Sequence, residues 1–401
     1  MKHYAFVFAV AFIFVGACKK EIQKSLPLEE TAFDNGPTDS LKLNQIQIIA
    51  SHNSYHRHTD DTVFQFLVRA NALGILPSSY DPIGIDYSHL PLEQQFNDYG
   101  VRGIELDIYN DPNCGQFKHR AGLEMLGLDA EAHIPELDAP GFKILHIPDF
   151  DYNTNHYTFK SALVAIYNWS VSHPNHLPIF INIETKQDVP ADNPTLASLP
   201  FHFTHAVPYD ANACDKMDEE IKSVFGDNLD KVITPDDVRG SYSRLDSAAR
   251  AGNWPTLAES RNKVVFIMQG AAESLYKSGH PSLQGRAMFV YSSPSSAEAA
   301  FVILNGPIGS YNQIQQRVQQ GFIVRTRADE STNEARSGDY TQMNAAFSSG
   351  AQIISTDYYK ADYRAGTTGW TDYHVYFPNH ELARIDSLSA SGQSGLGTIK
   401  E

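Results

Sequence analysis

The sequence predicts an α/β fold, a (β/α)8 barrel of the TIM type. Short apolar, β-branched runs recur along the 401-residue chain, and helix-length segments separate several of them. Continuous apolar strands between helices are typical of a parallel sheet that is covered on both faces, and eight such strands close into a barrel. A doubly wound open sheet is the main alternative, but the glycine-rich phosphate turn expected after its first strand is missing.

The eight predicted strands are rich in Val, Ile and Phe. They are residues 46–50, 103–108, 143–147, 179–183, 263–268, 287–291, 322–325 and 352–355. Residues 158–173 and 341–349 have near-helical spacing of their apolar positions. Long insertions follow strands 1 and 4, over residues 54–102 and 185–262, and we expect them to hold extra helices and loops over the barrel mouth.

The N-terminus has the pattern of an export signal. Residues 1–17 combine Lys2 with an apolar run too short to span a bilayer, which predicts a signal peptide. The next residue completes a sequence that resembles the bacterial lipobox, so we expect Cys18 to be lipidated; the alternative is an ordinary cysteine near the cleavage point. Residues 18–44 would form a flexible tether and residues 45–401 a single catalytic domain. The protein would then be an exported bacterial lipoprotein, anchored to a membrane on its periplasmic side or at the cell surface.

The net charge bears on the binding partners of the protein, and the cysteine content bears on a possible disulfide. The formal net charge of -16, from 31 basic and 47 acidic residues, disfavours nucleic acid and simple electrostatic attachment to anionic membranes. Cys114 and Cys214 could form a disulfide if the fold brings them together, and the sequence leaves this open. The oligomeric state is also left open.

Ionisable and ligating side chains lie at or near the ends of the first four predicted strands. The carboxyl ends of parallel barrel strands meet at one rim, where barrel enzymes place catalysis. These residues are His52, Asn53, Glu105, Asp107, His146 and Glu184.

Three of these residues are carboxylates, which indicates a cation site. Glu105 and Asp107 are two positions apart in a strand, so their side chains point to the same side. Burying both would cost several kcal/mol without a cation or a cationic side chain. With Glu184 and Asn53 they form an oxygen-rich set that suits calcium or magnesium better than zinc. The alternative is that Glu105 and Asp107 pair with Arg or Lys.

The histidines suit proton transfer near neutral pH. His52 and His146 are the candidates for this role. His56 and His58 also follow the first strand. The H-x3-H spacing of His52 and His56 would bind zinc only on a helix, and His52 lies at a strand end. We therefore predict that His56 and His58 are loop residues without function.

Four sequence motifs together resemble a known family. They are Ala-Ser-His-Asn-Ser-Tyr at 50–55, Gly-Ile-Glu-Leu-Asp at 103–107, His146, and Ile-Asn-Ile-Glu at 181–184. Their order resembles calcium-dependent phosphoinositide-specific phospholipase C in its compact bacterial form, a PLC-like phosphodiesterase barrel. The Trp-Pro-Thr-Leu segment at 254–257 is also similar, and the resemblance covers roughly residues 45–360.

The resemblance implies a phosphodiesterase that cleaves phosphatidylinositol-type lipids. Asn53, Glu105, Asp107 and Glu184 would bind Ca²⁺, with Mg²⁺ less expected. Glu105 or Glu184 would take the proton of the inositol 2-hydroxyl, which attacks the phosphate within the same molecule to give a cyclic product and diacylglycerol. His52 would stabilise the transition state, and His146 would protonate the leaving oxygen.

Some features depart from this pattern. The 41 positions from Glu105 to His146 are more than expected, so His119 and His133 are the alternatives to His146. Lys186 resembles instead the Asn-Ile-Glu-x-Lys pattern of glycerophosphodiester phosphodiesterases, which makes that activity an alternative; a non-catalytic ligand-binding lipoprotein is a third. The candidate substrate contacts are Lys186, Arg325, Arg327 and Asp357.

Overall fold

The computed structural model describes residues 36–76 and 80–401. Within them the strands are β1 (Ile46–Ser51), β2 (Gly103–Tyr109), β3 (Lys143–Ile144), β4 (Ile179–Thr185), β5 (Val264–Gly270), β6 (Phe289–Val290), β7 (Phe301–Ile303), β8 (Ile323–Arg327), β9 (Ile353–Thr356) and β10 (Ala383–Ile385). The α-helices are α1 (Asp61–Ala72), α2 (Leu92–Tyr99), α3 (Ala121–Glu124), α4 (Phe159–Ser172), α5 (Pro194–Ala197), α6 (Ala211–Phe225), α7 (Pro235–Arg239), α8 (Leu245–Arg250), α9 (Leu257–Ser260), α10 (Glu273–Lys277), α11 (Tyr311–Gln319), α12 (Asn333–Ser337) and α13 (Thr341–Ser348).

Eight of these strands form a parallel barrel, which confirms the predicted fold class. They run in the order β6-β5-β4-β2-β1-β9-β8-β7. A single parallel bridge from Tyr291 to Phe301 joins the two ends of this sheet, so the barrel is nearly closed. The carboxyl ends of all eight parallel strands therefore lie at the same rim of the barrel.

The apolar sequence of the strands explains why they occupy the centre. β1 and β2 are buried along their whole length, and the five residues from Val264 to Met268 in β5 have no exposed surface. Residues buried on both faces of a sheet must be apolar on the side that the helices cover. Among the polar exceptions, Glu105 on β2 and Gln269 on β5 bond to each other inside the barrel, near the candidate site, whereas Gln47 on β1 bonds to the backbone at the end of α13.

The surrounding helices begin where the sequence offers a cap. The Thr158 side chain accepts a hydrogen bond from the Ser161 backbone N–H at 3.1 Å and starts α4. This helix and α13 confirm the two helices predicted from apolar spacing. Asp60 and Asp210 cap α1 and α6 in the same way, since an N-cap side chain satisfies free backbone N–H groups.

One predicted barrel strand is wrong and one barrel strand was missed; β10, which pairs antiparallel with β1 outside the barrel order, was not predicted either. Residues 143–147 were expected to form a barrel strand, but β3 has two residues and pairs antiparallel with the far end of β2. β2 instead pairs directly with β4 over six residues, from Gly103 opposite Phe180 onward, which leaves no place for β3 in the barrel. The eighth strand is β7, which has only three residues and was not predicted.

The long connections differ in number from the prediction. They were expected after strands 1 and 4, and they follow the first three barrel strands, at 52–102, 110–178 and 186–263. We call these the first, second and third insertions. The first and third hold the extra helices that were expected, and β3 lies in the second.

The folded part of the chain begins earlier than predicted. Residues 18–44 were expected to be a flexible tether, but Pro37–Ser40 and Leu43–Gln45 form 3-10 helices. Leu41 and Leu43 are fully buried in the core, and their backbones bond to Leu257 at the start of α9 and to Pro255 just before it. The tether prediction is therefore wrong for residues 36–44. In the described residues, no helix has the length and apolarity needed to cross a membrane.

Candidate active site

The end of β1 brings His52 and Asn53 to the rim. Asn53 adopts a left-handed backbone conformation with φ of 44°, which turns the chain sharply after the strand. Its side-chain amide donates to the Tyr87 hydroxyl at 3.2 Å and is buried. The bond fixes the amide and leaves the carbonyl oxygen of Asn53 as the group that can act as a ligand.

Glu105 lies inside the barrel, and the protein itself compensates its charge. One carboxylate oxygen accepts from Arg325 at 2.5 Å, and the other accepts from Asn182 at 2.6 Å and Gln269 at 3.1 Å. Burial would raise the pKa of Glu105, but the charges of Arg325 and His52 outweigh it and lower the pKa below its ordinary value. For Glu105, the structure therefore agrees with the alternative prediction that this carboxylate pairs with an arginine or lysine.

Among the described residues, Asp107 and Glu184 share one cationic side chain. The Lys186 ammonium lies 3.5 Å from Asp107 and 3.4 Å from Glu184. Burial, together with repulsion from Glu184, raises the pKa of Asp107 well above its ordinary value. Glu184 is 30% exposed at its side chain and accepts one hydrogen bond from Gln269. Two carboxylates thus depend on one lysine.

The donor set fits a hard divalent cation. Ligand oxygens of Glu105, Asp107 and Glu184 all lie within 4.8 Å of one another. One Asp107 oxygen is buried and has no hydrogen-bond partner among the described residues, although an unpaired buried carboxylate oxygen is costly. Carboxylate and amide oxygens are the ligands that calcium prefers. These residues, with Asn53, are therefore suited to hold calcium.

A second histidine cluster lies across the rim. The Nδ1 atom of His146 is 2.7 Å from Asp151, and His56 Nε2 is 2.8 Å from the same carboxylate oxygen. The rings of His56 and His146 are nearly perpendicular, with centroids 5.7 Å apart. Burial lowers the pKa of His146, and the Asp151 carboxylate offsets only part of this effect. Asp151 thereby sets the orientation of His146 and leaves its Nε2 for the substrate.

This cluster corrects the interpretation of His56. It was predicted to be a loop residue without function, but it is completely buried and bonds to the carboxylate that holds His146. His58 does lie apart from the site, 3.1 Å from Asp86. Asp151 was not predicted; its place five residues after His146 was the available signal.

His52 is held from the opposite side of the rim. Its Nδ1 lies 2.7 Å from Asp357, whose other oxygen accepts from Arg327 at 2.6 Å. The Arg327 guanidinium is also 3.5 Å from His52 Nε2. Asp357, which was predicted to contact the substrate, lines the cavity, and through its bond to Nδ1 it also orients His52.

A cavity of about 530 Å³ lies at the barrel mouth. Its polar lining includes His52, Asn53, His146, Lys186, Asp188, Arg327 and Asp357. Its apolar wall comes largely from the first insertion, with Leu67, Leu76 and Ile85. Such a cavity suits a ligand with both a charged and an apolar part.

Arg325 does not belong to this cavity. It was predicted to contact the substrate, but its side chain is buried and bonded to Glu105 in the barrel interior. Lys186 and Arg327 do line the cavity. Lys186 therefore lies between the cavity and the three carboxylates.

Other predicted residues lie elsewhere or outside the described chain. His119 bonds to Glu124 and His133 bonds to Asp129, and neither histidine lines the cavity. Of the three candidates, His146 is the one that lines the cavity. Cys114 is exposed and Cys214 buried, and both are free thiols, so the disulfide that was left open does not form. The predicted signal peptide and the lipidation site Cys18 lie outside the described residues.

Comparison with known proteins agrees with this geometry. The family model described as phosphoinositide phospholipase C, Ca²⁺-dependent, matches residues 41–387. The chain belongs to this family. The predicted family and enzyme class, a phosphodiesterase of the phosphoinositide phospholipase C type, are therefore confirmed. A search among curated proteins gave no match.

The chain is also similar to several solved structures. One is a calcium-dependent phosphoinositol-specific phospholipase C from Pseudomonas sp., with 17% identity, a TM-score of 0.48, and coverage of 84% of this chain and 96% of that one. Another is a Ca²⁺-dependent phosphatidylinositol-specific phospholipase C from Streptomyces antibioticus, with 16% identity, a TM-score of 0.47, and coverage of 80% and 95%. A putative glycerophosphoryl diester phosphodiesterase from Agrobacterium tumefaciens is more distant, at 10% identity and a TM-score of 0.33, with coverage of 78% and 94%.

Proposed function

We propose that this protein cleaves phosphatidylinositol-type lipids in a calcium-dependent reaction that releases diacylglycerol and an inositol phosphate. The observation that carries the proposal is the rim itself, where an oxygen-donor cluster lies between two histidines that are each held by a buried aspartate. The family of the chain supports the same substrate class and metal.

Asn53, Glu105, Asp107 and Glu184 would hold the metal. Bound calcium lowers the pKa of a coordinated hydroxyl and offsets the negative charge that develops on the phosphate. Lys186 and Arg327 line the cavity and can bind phosphate oxygens, because both side chains are cationic and reach the rim.

Glu184 is better placed than Glu105 to accept the proton of the inositol 2-hydroxyl. All the oxygens of Glu105 are bonded within the barrel, whereas Glu184 is partly exposed. The 2-hydroxyl oxygen then forms the new bond to phosphorus as the bond to the diacylglycerol oxygen breaks, which gives a cyclic inositol phosphate first.

The two histidines supply the remaining steps. His52 faces Glu105 at 3.8 Å and lies beside Arg327, so in its protonated form it can stabilise charge on the phosphate. His146 is oriented through Nδ1 by Asp151, so its protonated form can donate from Nε2 to the leaving oxygen.

Glycerophosphodiester hydrolysis is the second candidate. Lys186 in the Asn-Ile-Glu-x-Lys segment favours it, since this lysine lines the cavity and contacts two of the carboxylates. A non-catalytic ligand-binding protein would keep the cavity without turnover.

We also propose that residues 1–17 are a signal peptide and that Cys18 carries a lipid that anchors the enzyme to a membrane. The sequence pattern at residues 15–18 supports this. Mass spectrometry of the mature N-terminus tests it: a lipidated Cys18 is expected, and an unmodified chain that still begins at Met1 would refute it.

Phosphorus NMR tests the substrate and the product together. The protein is incubated with phosphatidylinositol or with glycerophosphocholine, in calcium or in EDTA. We expect a cyclic inositol phosphate resonance from phosphatidylinositol in calcium. Release of glycerol 3-phosphate from glycerophosphocholine, with phosphatidylinositol intact, would favour the second candidate. No turnover of either compound would favour the non-catalytic alternative.

A further inference from the structure

A cluster of two histidines and a glutamate lies away from the cavity, where the second and third insertions meet. Nε2 of His119 is 2.9 Å from one oxygen of Glu124, and Nδ1 of His202 is 2.8 Å from the other. The His202 backbone N–H also donates to Glu124 at 2.8 Å. His119 and Glu124 belong to the second insertion and His202 to the third, so the cluster joins segments about 80 positions apart in sequence.

The geometry of this cluster suits a transition-metal ion. One ligand atom from each of His119, Glu124 and His202 lies within 4.8 Å of the others. The two imidazole rings are nearly perpendicular, with centroids 5.8 Å apart, so their nitrogens approach the same carboxylate from different directions. Two imidazoles and one carboxylate are a common ligand set for Zn²⁺, with water at the open position.

The charge and exposure of the three residues are favourable for binding. The His202 backbone N–H, followed by the His119 side chain, lowers the pKa of Glu124 to about 2, so the carboxylate is ionised at neutral pH. His119 and Glu124 are partly exposed and His202 is 84% exposed at its side chain, so an ion can reach the cluster from solvent.

The backbone that carries the ligands is already held in place. Asp149, in a left-handed conformation, accepts hydrogen bonds from the N–H groups of Ala121 at 3.2 Å and Thr204 at 3.0 Å. Ala121 begins the helix that carries Glu124, and Thr204 is two residues from His202. The cluster is therefore preorganised, which reduces the entropy cost of binding an ion.

We propose that His119, Glu124 and His202 form a binding site for a divalent transition-metal ion of the Zn²⁺ type, separate from the calcium-type site at the barrel mouth. The bound ion joins the second insertion to the third. Because the same Asp149 lies two residues before Asp151, the ion stabilises the loop that holds His146. The proposal of this site does not depend on the proposed phospholipase C activity.

The test is a titration of the purified protein with ZnCl₂ by isothermal calorimetry, with calcium in excess to fill the carboxylates at the mouth. We expect one equivalent of Zn²⁺ to bind. His202→Ala should weaken binding by at least about tenfold, since the loss of even an outer partner of a metal ligand costs about 10- to 100-fold in affinity. Glu124→Gln should weaken it as well.

Controls separate this site from other histidines. His133→Ala removes an exposed histidine in the same insertion, paired with Asp129, and should leave the Zn²⁺ affinity unchanged. Zn²⁺ should raise the melting temperature of the parent protein and of His133→Ala, but not that of His202→Ala. No Zn²⁺ binding by the parent, or equal affinity in parent and His202→Ala, would overturn the proposal. Because the His202 side chain is largely exposed, this variant is expected to fold normally.

Discussion

Replacement of Lys186 by methionine tests the charge balance of the site most sharply. Among the described residues, Lys186 is the cationic side chain paired with both Asp107 and Glu184, at 3.5 and 3.4 Å. Methionine keeps a long side chain and removes the charge. In the absence of calcium, the variant therefore leaves two neighbouring carboxylates without a cation.

The expected loss of stability follows from these distances. At an effective dielectric constant of about 20, opposite charges about 3.5 Å apart attract by roughly 5 kcal/mol before desolvation is counted. Removing one member of a buried pair typically costs about 3–5 kcal/mol. The Lys186 side chain is 22% exposed, and Asp107 can take up a proton because its pKa is raised. We therefore expect a loss of about 2–3 kcal/mol at pH 7, at or just below the lower limit of that range.

The loss should increase with pH, because only the ionised form of Asp107 loses its partner. Urea unfolding in EDTA, followed by circular dichroism at two pH values, measures it. Calcium should restore stability more in the variant than in the parent, since the ion no longer competes with an ammonium group. Lys216→Met is the matched control: that lysine pairs with Glu219 on an exposed helix surface, so no measurable change is expected. Equal stability of Lys186→Met and the parent in EDTA would refute the reasoning.

Three further predictions concern the histidines and the barrel. If protonated His146 donates a proton, activity falls as the pH rises through the lowered pKa of His146. Asp151→Asn removes a charge that raises this pKa, so the pH–rate profile of the variant should fall at a lower pH than that of the parent. An unchanged profile would contradict the assignment of His146 as the proton donor. Asp357→Asn should reduce kcat roughly 10²- to 10⁴-fold, because His52 loses its orientation, and should also lower the melting temperature, because Arg327 loses a buried carboxylate; an unchanged kcat at a temperature where the variant is folded would contradict the role of Asp357 in orienting His52. Gly103→Ala should lower the melting temperature, since a new methyl group would meet the facing methyl of β1 at 2.5 Å, and an unchanged melting temperature would show that the strands can move apart.

The fold could be predicted because most barrel strands are apolar runs of five or more residues. β4 and β5 have this form, and the register between them extends over seven residue pairs. β7 could not be predicted, because three residues give no periodicity. Residues 143–147 were mistaken for a barrel strand because a short antiparallel strand has the same composition, and only the pairing of β2 with β4 excludes it from the barrel.

The site could be predicted where its residues follow strands, and less well where loops carry them. Glu105 and Asp107 were found from their spacing along β2. His56 and Asp151 were not, because they approach each other from loops 95 positions apart. Arg325 was assigned to the substrate because it lies, like Arg327, at the end of a predicted strand. Only Arg327 lines the cavity; Arg325, two residues earlier in β8, faces the barrel interior and neutralises Glu105 instead.

The calcium dependence of phosphatidylinositol cleavage in the parent and in Asp107→Asn tests the central claim most directly. The substitution keeps the size of the side chain and removes the charge of a buried carboxylate, one oxygen of which has no hydrogen-bond partner among the described residues. We predict that EDTA abolishes cleavage by the parent, that calcium restores it, and that the variant needs at least about tenfold more calcium for half-maximal activity. Full activity of the parent in EDTA, or the same calcium requirement in both proteins, would contradict the account.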